Sequence, residues 1–261
     1  MDKYTEDLLR LYEVKGKAKT PALPNLFQID SSSSLLCESE REIFHSRVAK
    51  LLYLAKRCRP EILPPIIFLT GRVQCATEED WGKLNRVLYY LNYCPKLGIG
   101  LSATNSNTIF GYIDVSFASE ADYKSRTGSV ISLGQGPVYA ESSRQKLNTT
   151  GSSEAELVGC SEGSKNVIWL RNFFIEQGYK VAPAKIYQDN KSTLALLKNG
   201  RSNAKSTRHI NIRYFFLKDR IDSGEIELEY LPTDEMIADI LTKPLQGRKF
   251  QILRDRLLNY N

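Results

Sequence analysis

Four acidic residues, Asp114, Glu156, Asp189 and Asp239, stand where carboxylates from distant parts of a chain can converge. Asp114 lies in IFGYIDVSFA, which alternates like a strand, and Glu156 lies in SSEAELVG, at the start of a helix-like stretch. Asp189 ends the apolar-rich KIYQD and opens the turn DNKS, and Asp239 lies in DEMIADIL, near the start of a late helix. A pair of Mg²⁺ ions needs several hard oxygen ligands held by a rigid scaffold, and such a pair suits phosphodiester hydrolysis. Strand ends and helix starts supply that geometry, because ligand sites of α/β sheets collect at the carboxyl edge of the strands. Each acid also has an ordinary reading. Asp114 could point to solvent, Glu154 or Glu156 could complement a helix dipole, Asp189 could cap the next helix, and Asp239 could be a solvated helix residue. Those readings explain the acids singly and leave their common order unexplained.

The elements that must position them follow from periodicity. Residues 38–58 carry Ile43, Phe44, Val48, Leu51, Leu52 and Ala55 near a 3.6-residue period, and Pro60 closes that helix. Thr77 is a good N-cap, followed by Glu78, Glu79 and Asp80 in a first turn that favours negative charge. The apolar face of this second helix is Trp81, Leu84, Val87, Leu88 and Leu91, and Pro95 ends it. Between the two helices, Pro64 and Pro65 predict a shortened or displaced helix. IGLSATNSNT, residues 99–108, reads as a linker. After it, strands are predicted near 109–118, 127–134 and 136–143. A long helix follows over 153–177, stopped by Gly178, then a buried strand at 184–188 and helices at 191–198 and 207–222. A last strand, EIELEYL, and a final helix over 234–242 complete the pattern. This order predicts an α/β fold with helices on both faces of the sheet. The expected domains are a helical region over 1–98, the linker, and the α/β domain over 109–261.

The chain's 42% apolar and 25% charged residues are ordinary for a folded protein, and its net charge of +6 permits a polyanionic partner. Cys37, Cys58, Cys75, Cys94 and Cys160 are scattered and form no C-x-x-C, which reads as reduced thiols in an intracellular protein. With His45 and His209 as the two histidines, no familiar zinc spacing can be assembled. The start, MDKYTEDLLRLYEVKG, has no apolar signal core, and no stretch reaches the ~20 apolar residues of a membrane span, so no membrane partner is expected. From Lys191 to Lys218 lie seven basic residues, Lys191, Lys198, Arg201, Lys205, Arg208, Arg213 and Lys218, with no acid among them. Such a run is either a solvated face or a means of drawing phosphates toward carboxylates that repel them. Tyr214, Phe215 and Phe216 in the same stretch read as helix core.

The run YIDVSFA…SRTGSV, then SSRQKLNT…SSEAELVG, YQDNKS, STRHINIRYFFLKDRI and IELEYLPTDEMIADILTKPL resembles the ribonuclease H domain of copia-type LTR retrotransposon Pol polyproteins. FHSRVAKLLYLAKRCRPEI and TEEDWGKLNRVLYYLNYCPKLGIGL resemble the segment joining the reverse transcriptase of such elements to that domain, so the start of the chain falls in the polymerase region and the chain reads as a C-terminal fragment or truncated copy. The resemblance implies a ribonuclease H-like five-stranded mixed sheet. It implies cleavage of the RNA strand of RNA–DNA hybrids with two Mg²⁺ ions, Mn²⁺ being able to substitute. It selects Glu156 over Glu154, and makes Asp114, Glu156, Asp189 and Asp239 both catalytic residues and metal ligands. Ser152, Ser153, Asn190, Lys205, Arg208 and His209 are the residues expected to contact nucleic acid. Ser152 and Ser153 could equally cap the helix, and His209 could equally be a partly buried structural residue. Implied partners are the hybrid and the upstream polymerase region of the same element. The implied location is intracellular, in a cytoplasmic virus-like particle and the nucleus. The sequence departs from the family pattern at Glu120, where a histidine is common, and carries no polymerase motif with paired aspartates. Two other readings stay open: a catalytically idle nucleic-acid-binding or structural part of a reverse transcriptase, and a host-adopted interaction protein.

Overall fold

The computed structural model describes residues 1–103, 107–199 and 208–260. They form two compact units, Met1–Gly100 with Lys243–Asn261, and Leu101–Thr242.

The first unit is helical: α1 (Asp2–Leu11), α2 (Glu38–Arg57), a 3-10 turn (Pro60–Ile62), α3 (Leu63–Thr70), α4 (Glu78–Tyr93) and α8 (Gly247–Leu258). The Thr77 cap is present, its hydroxyl accepting from the Asp80 amide at 3.4 Å while the Asp80 carboxylate accepts from the Thr77 amide at 3.0 Å. Pro64 and Pro65 do not interrupt α3. They stand in its first turn, where amide protons have no intrahelical acceptor to lose. Arg59 and Glu61 form a fully buried ion pair at 2.6 Å, with the Tyr90 hydroxyl 3.3 Å from the same carboxylate oxygen. The C-terminal helix α8 departs from the expected boundary, since residues 243–261 pack with the helical unit instead of the α/β domain. Phe250, Leu253, Leu257 and Leu258 are buried, and the Phe250 ring meets Tyr90 edge-on at 5.7 Å. Gly100 N–H donates to Leu258 C=O at 2.8 Å, which ties the end of the predicted linker's first residues to α8.

The second unit holds β1 (Phe110–Ser116), β2 (Arg126–Ser132), β3 (Pro137–Arg144), α5 (Ser152–Glu176), β4 (Ala184–Gln188), α6 (Lys191–Asn199), α7 (Arg208–Asp222), β5 (Ile226–Tyr230) and a 3-10 helix, Ile237–Leu241. The strands form one mixed sheet in the order β3-β2-β1-β4-β5. The β1–β2 and β2–β3 pairs are antiparallel, and β1–β4 and β4–β5 are parallel. The five-stranded mixed sheet expected from the sequence is therefore present. The last helix is tighter and shorter than the predicted 234–242, its first turn being taken up by the turn at 233–236.

Two close approaches fix which element covers which face. A Cβ at Gly159 would lie 2.3 Å from Val115 Cγ2, and one at Gly163 would lie 2.6 Å from Ile113 Cδ1. Glycines four residues apart on one helix face thus let α5 press against the side of β1 that carries Ile113 and Val115. On the other side, a Cβ at Gly128 would lie 2.7 Å from Ala238 C=O, so the bare strand is what allows the 3-10 helix to sit there. Gly128 is the register partner of Asp114. The buried core on the α5 side includes Ile113, Leu157, Val167, Ile186, Leu197, Leu217 and Ile226.

Candidate active site

β1 and β4 are parallel neighbours, so their carboxyl ends share one edge of the sheet. Asp114 stands near the end of β1, and Asp189 immediately follows β4. Glu156 is in the second turn of α5. One carboxylate oxygen from each of Asp114, Glu156 and Asp189 lies within 4.8 Å of the others. Asp114 and Glu156 are buried, at 1% and 4% exposure, and Asp189 is half-buried.

Each of the three accepts a hydrogen bond from a neutral side chain that sequence reading passed over. The Thr242 hydroxyl donates to Asp114 Oδ2. The Gln188 side-chain amide donates to Glu156 Oε2 at 3.2 Å, and the Thr233 hydroxyl donates to Asp189 Oδ2 at 2.7 Å. Gln188 is fully buried, and its carbonyl accepts the backbone amides of Asp189 at 2.8 Å and Asn190 at 3.2 Å. A buried polar residue ending an apolar strand was the available sequence signal for Gln188, since such a group needs partners. Thr242 had no local signal.

Glu154 takes the competing role. Its carboxylate accepts from the Thr150 amide at 3.0 Å and the Thr150 hydroxyl at 2.7 Å, which fastens the entry of α5. Asp239 is not in the 4.8 Å set. It is fully buried on the 3-10 helix, which covers the Asp114 side of the sheet. Its backbone carbonyl lies 3.1 Å from the hydroxyl of Thr242, the residue that reaches Asp114.

The expected nucleic-acid contacts divide. Ser152 and Ser153 are exposed in the first turn of α5, and the Ser153 carbonyl accepts from Thr193 Oγ1 at 3.3 Å. Asn190 caps α6, its Oδ1 accepting the Thr193 amide at 2.9 Å. Arg208 and His209 are exposed at the start of α7, which packs on α5 and β5. His209 is thus not the partly buried residue of the structural reading. Lys205 and Arg201 lie outside the described residues. The basic run is less one-signed in space than in sequence, since Arg213 pairs with Glu162 of α5 at 3.2 Å and Lys218 with Asp222 at 2.7 Å. Lys191 lies over the Tyr230 ring at 4.8 Å. Phe215 is 59% exposed, so the expectation that all three aromatics are core holds for Tyr214 and fails for Phe215, which the turn of the helix carries outward. Glu120 forms a buried pair with Arg126, at 2.7 Å to Nε and 2.5 Å to Nη2.

The second unit is an α/β domain built on a five-stranded mixed sheet, with α5 on one face and a late short helix on the other. Homologues of the chain include copia-type Pol polyproteins of plant transposons. The Pol polyprotein of transposon RE2 from Arabidopsis thaliana is 30% identical over 254 residues, 95% of the chain. That of transposon TNT 1-94 from Nicotiana tabacum is 27% identical over 97% of the chain, and that of RE1 from Arabidopsis thaliana 32% over 78%. The chain spans 17%, 20% and 14% of these three relatives' own lengths. No family model matches it. Among solved structures, ribonuclease H1 of Halobacterium salinarum aligns over 52% of the chain and 94% of its own length, at 13% identity and TM-score 0.38. A foamy viral protease-reverse transcriptase bound to double-stranded DNA aligns over 80% of the chain and 34% of its own length, at 15% identity and TM-score 0.47. Among the described residues, no helix is long and apolar enough to cross a membrane.

Proposed function

We propose that the chain is the ribonuclease H of a retrotransposon reverse transcriptase, cutting the RNA strand of RNA–DNA hybrids by metal-dependent hydrolysis. The observation that carries this reading is the convergence of Asp114, Glu156 and Asp189 within 4.8 Å at the carboxyl edge of the sheet. Three carboxylates so close, two of them buried, repel one another and any phosphodiester, and a divalent cation offsets both repulsions. Their donor set fits such an ion, because Mg²⁺ prefers hard oxygen ligands and Mn²⁺ accepts the same set.

On this reading Asp114, Glu156 and Asp189 would hold one ion, and Asp239 would help to hold a second. Bound there, divalent ions would supply activation of the attacking water and offset charge developing on the scissile phosphate and its leaving oxygen. The remaining work belongs to the chain. Thr242, Gln188 and Thr233 fix the rotamers of the three acids, so the ligand oxygens are set before substrate arrives. Ser152, Ser153 and Asn190 border Glu156 and Asp189 in sequence and offer neutral donors to the hybrid, whose minor groove displays RNA 2′-hydroxyls. Lys205, Arg208 and His209 supply positive charge or donors to its phosphates. In the element, the partner is the upstream polymerase region, and the place of action is the cytoplasmic particle and the nucleus.

The test is incubation of the purified chain with end-labelled RNA–DNA hybrid, with Mg²⁺, with Mn²⁺ and with chelator. Metal-dependent shortening of the RNA strand alone is expected. Tight hybrid binding without cleavage under any metal would instead identify an idle binding module.

A further inference from the structure

The loop at residues 117–125 leaves β1 two residues after Asp114, so it stands at the sheet edge where the carboxylates meet. It is closed on itself. Glu120 N–H donates to Lys124 C=O at 3.1 Å, Tyr123 N–H to Glu120 C=O at 2.9 Å, and Ala118 N–H to Ser125 Oγ at 3.1 Å. Side chains anchor it at two further points: Glu120 to the buried Arg126 of β2, and Asp122 to Arg144 of β3. Within this fixed frame, Tyr123 has φ +60°, a conformation that bulky L-residues rarely adopt. Its side chain is 77% exposed, above every other large apolar residue among those described, and Phe117 in the same loop is 42% exposed. A loop tied down by a buried ion pair has no need of a bulky ring at its tip. The left-handed residue closes the turn across which Glu120 and Lys124 pair, but glycine or asparagine would close it as well, so the turn does not account for an exposed aromatic ring. What marks the residue is the large exposed ring on a rigid loop beside the three carboxylates, with Phe117 partly exposed in the same loop.

We infer that Tyr123 is a substrate-positioning residue. Its ring packs against the sugar and base edges of the nucleic-acid duplex beside the scissile phosphate, with Phe117 behind it on the same loop. The inference rests on the ribonuclease H reading, because that reading brings a duplex to this edge. An aromatic ring suits the task, since packing on nucleic acid is tolerant of sequence and adds affinity that does not depend on released counterions.

The experiment measures binding of labelled RNA–DNA hybrid in Asp189→Asn chains, so that cleavage does not interfere, with Tyr123 intact or changed to Phe, Ala or Asn. Asn tolerates the left-handed backbone and guards against a folding effect. Thermal unfolding of each variant is followed alongside. Tyr123→Phe should bind as the parent. Tyr123→Ala and Tyr123→Asn should weaken binding at least about fivefold with the salt slope unchanged. In chains with an intact Asp189, KM should rise while kcat stays near the parent's. Equal affinity of Tyr123→Ala and parent overturns the inference and leaves the ribonuclease H reading standing. A loss as large in Tyr123→Phe also overturns it, because the hydroxyl would then be the contact. A parent chain that neither binds nor cuts hybrid removes both.

Discussion

Gln188 and Glu156, 32 residues apart, are joined by a 3.2 Å hydrogen bond at the point where β4 ends and α5 begins its second turn. Both side chains are buried, and the other end of the Gln188 amide takes up the backbone amides of Asp189 and Asn190. One neutral side chain therefore sets the rotamer of one acid and the backbone of the next. A charged residue could not do this. A carboxylate at 188 would repel Glu156, and an ammonium would compete with a cation for it.

Gln188→Ala should therefore act on the site and on the fold together. It removes the donor to Glu156 and the acceptor for two backbone amides, each of which costs about 1–3 kcal/mol if left buried without a partner. A fall in stability of that order is expected in urea unfolding. Gln188→Glu should be more stable at low pH, where its carboxyl is protonated and can still donate, than at neutral pH. Cleavage should drop in both variants, with Mg²⁺ titrations showing a weaker site in Gln188→Ala. An unfolding curve for Gln188→Ala superimposed on the parent's would show that the hydrogen bonds carry no net stability.

The glycines of α5 predict an opposite sign from a glycine elsewhere. Gly159→Ala would place a Cβ 2.3 Å from Val115 Cγ2, against a buried strand that cannot yield cheaply. Overpacking of this kind costs about 1–3 kcal/mol, which exceeds the ~1 kcal/mol that alanine contributes in a helix interior. Gly82 lies inside α4 with nothing within 4 Å of an added Cβ. Gly82→Ala should stabilise the chain by about 0.5–1 kcal/mol. Chemical denaturation of the two single variants decides the matter, and a stabilised Gly159→Ala would contradict the close approach of α5 to β1.

The thiols should separate into classes. Burial, with the Glu156 carboxylate adding to it, pushes Cys160 up to about 12, so almost no thiolate exists there at neutral pH. Cys37 and Cys75 are exposed. A disulfide reagent at pH 8 should label Cys37 and Cys75 within minutes and Cys160 only after denaturation, as read by peptide mass mapping. Rapid labelling of Cys160 in the folded chain would mean that α5 does not pack on the sheet as described.

The parts of this molecule that a sequence shows are those written in local patterns. The strand bearing Asp114, the long helix bearing Glu156 and the turn after Asp189 each follow from alternation, a helical period or a cap. The choice of Glu156 over Glu154 and the grouping of four acids, Asp239 among them, follow instead from the family resemblance, and Asp239 stands outside the set of three. Gly178, with φ +86°, ends α5 where a C′ glycine should. The rest depends on residues far apart in the chain. Thr242 reaches Asp114 across 128 positions, and Gly128 matters because Ala238 comes to rest on it. Helix α8 shows an amphipathic pattern like that of many helices, and nothing in the pattern says that Phe250 will meet Tyr90. Pro64 and Pro65 predict a shortened or displaced helix, and α3 is short, 8 residues with both prolines in its first turn, but where it begins depends on packing beyond the local pattern. Arg213 and Lys218 read as part of a basic run because the acids that pair with them lie in α5 and beyond the run's end.

Catalysis and binding should respond oppositely to two changes. Asp189→Asn keeps the shape of the side chain and its bond from Thr233, but removes a charge that would offset a divalent ion. Loss of one metal contact in the transition state costs several kcal/mol, so cleavage should fall by on the order of a hundredfold or more. The same change lowers the repulsion between the sheet edge and phosphates, so hybrid affinity should hold or tighten slightly. Arg208, exposed at the start of α7, belongs to the other class. Arg208→Ala should weaken binding across all hybrid sequences and reduce the slope of log affinity against log salt by roughly one unit if one phosphate contact is lost. Paired cleavage assays and binding titrations over a range of salt concentrations read both effects. Cleavage by Asp189→Asn at the parent rate would remove Asp189 from the metal site, whatever the binding curves show.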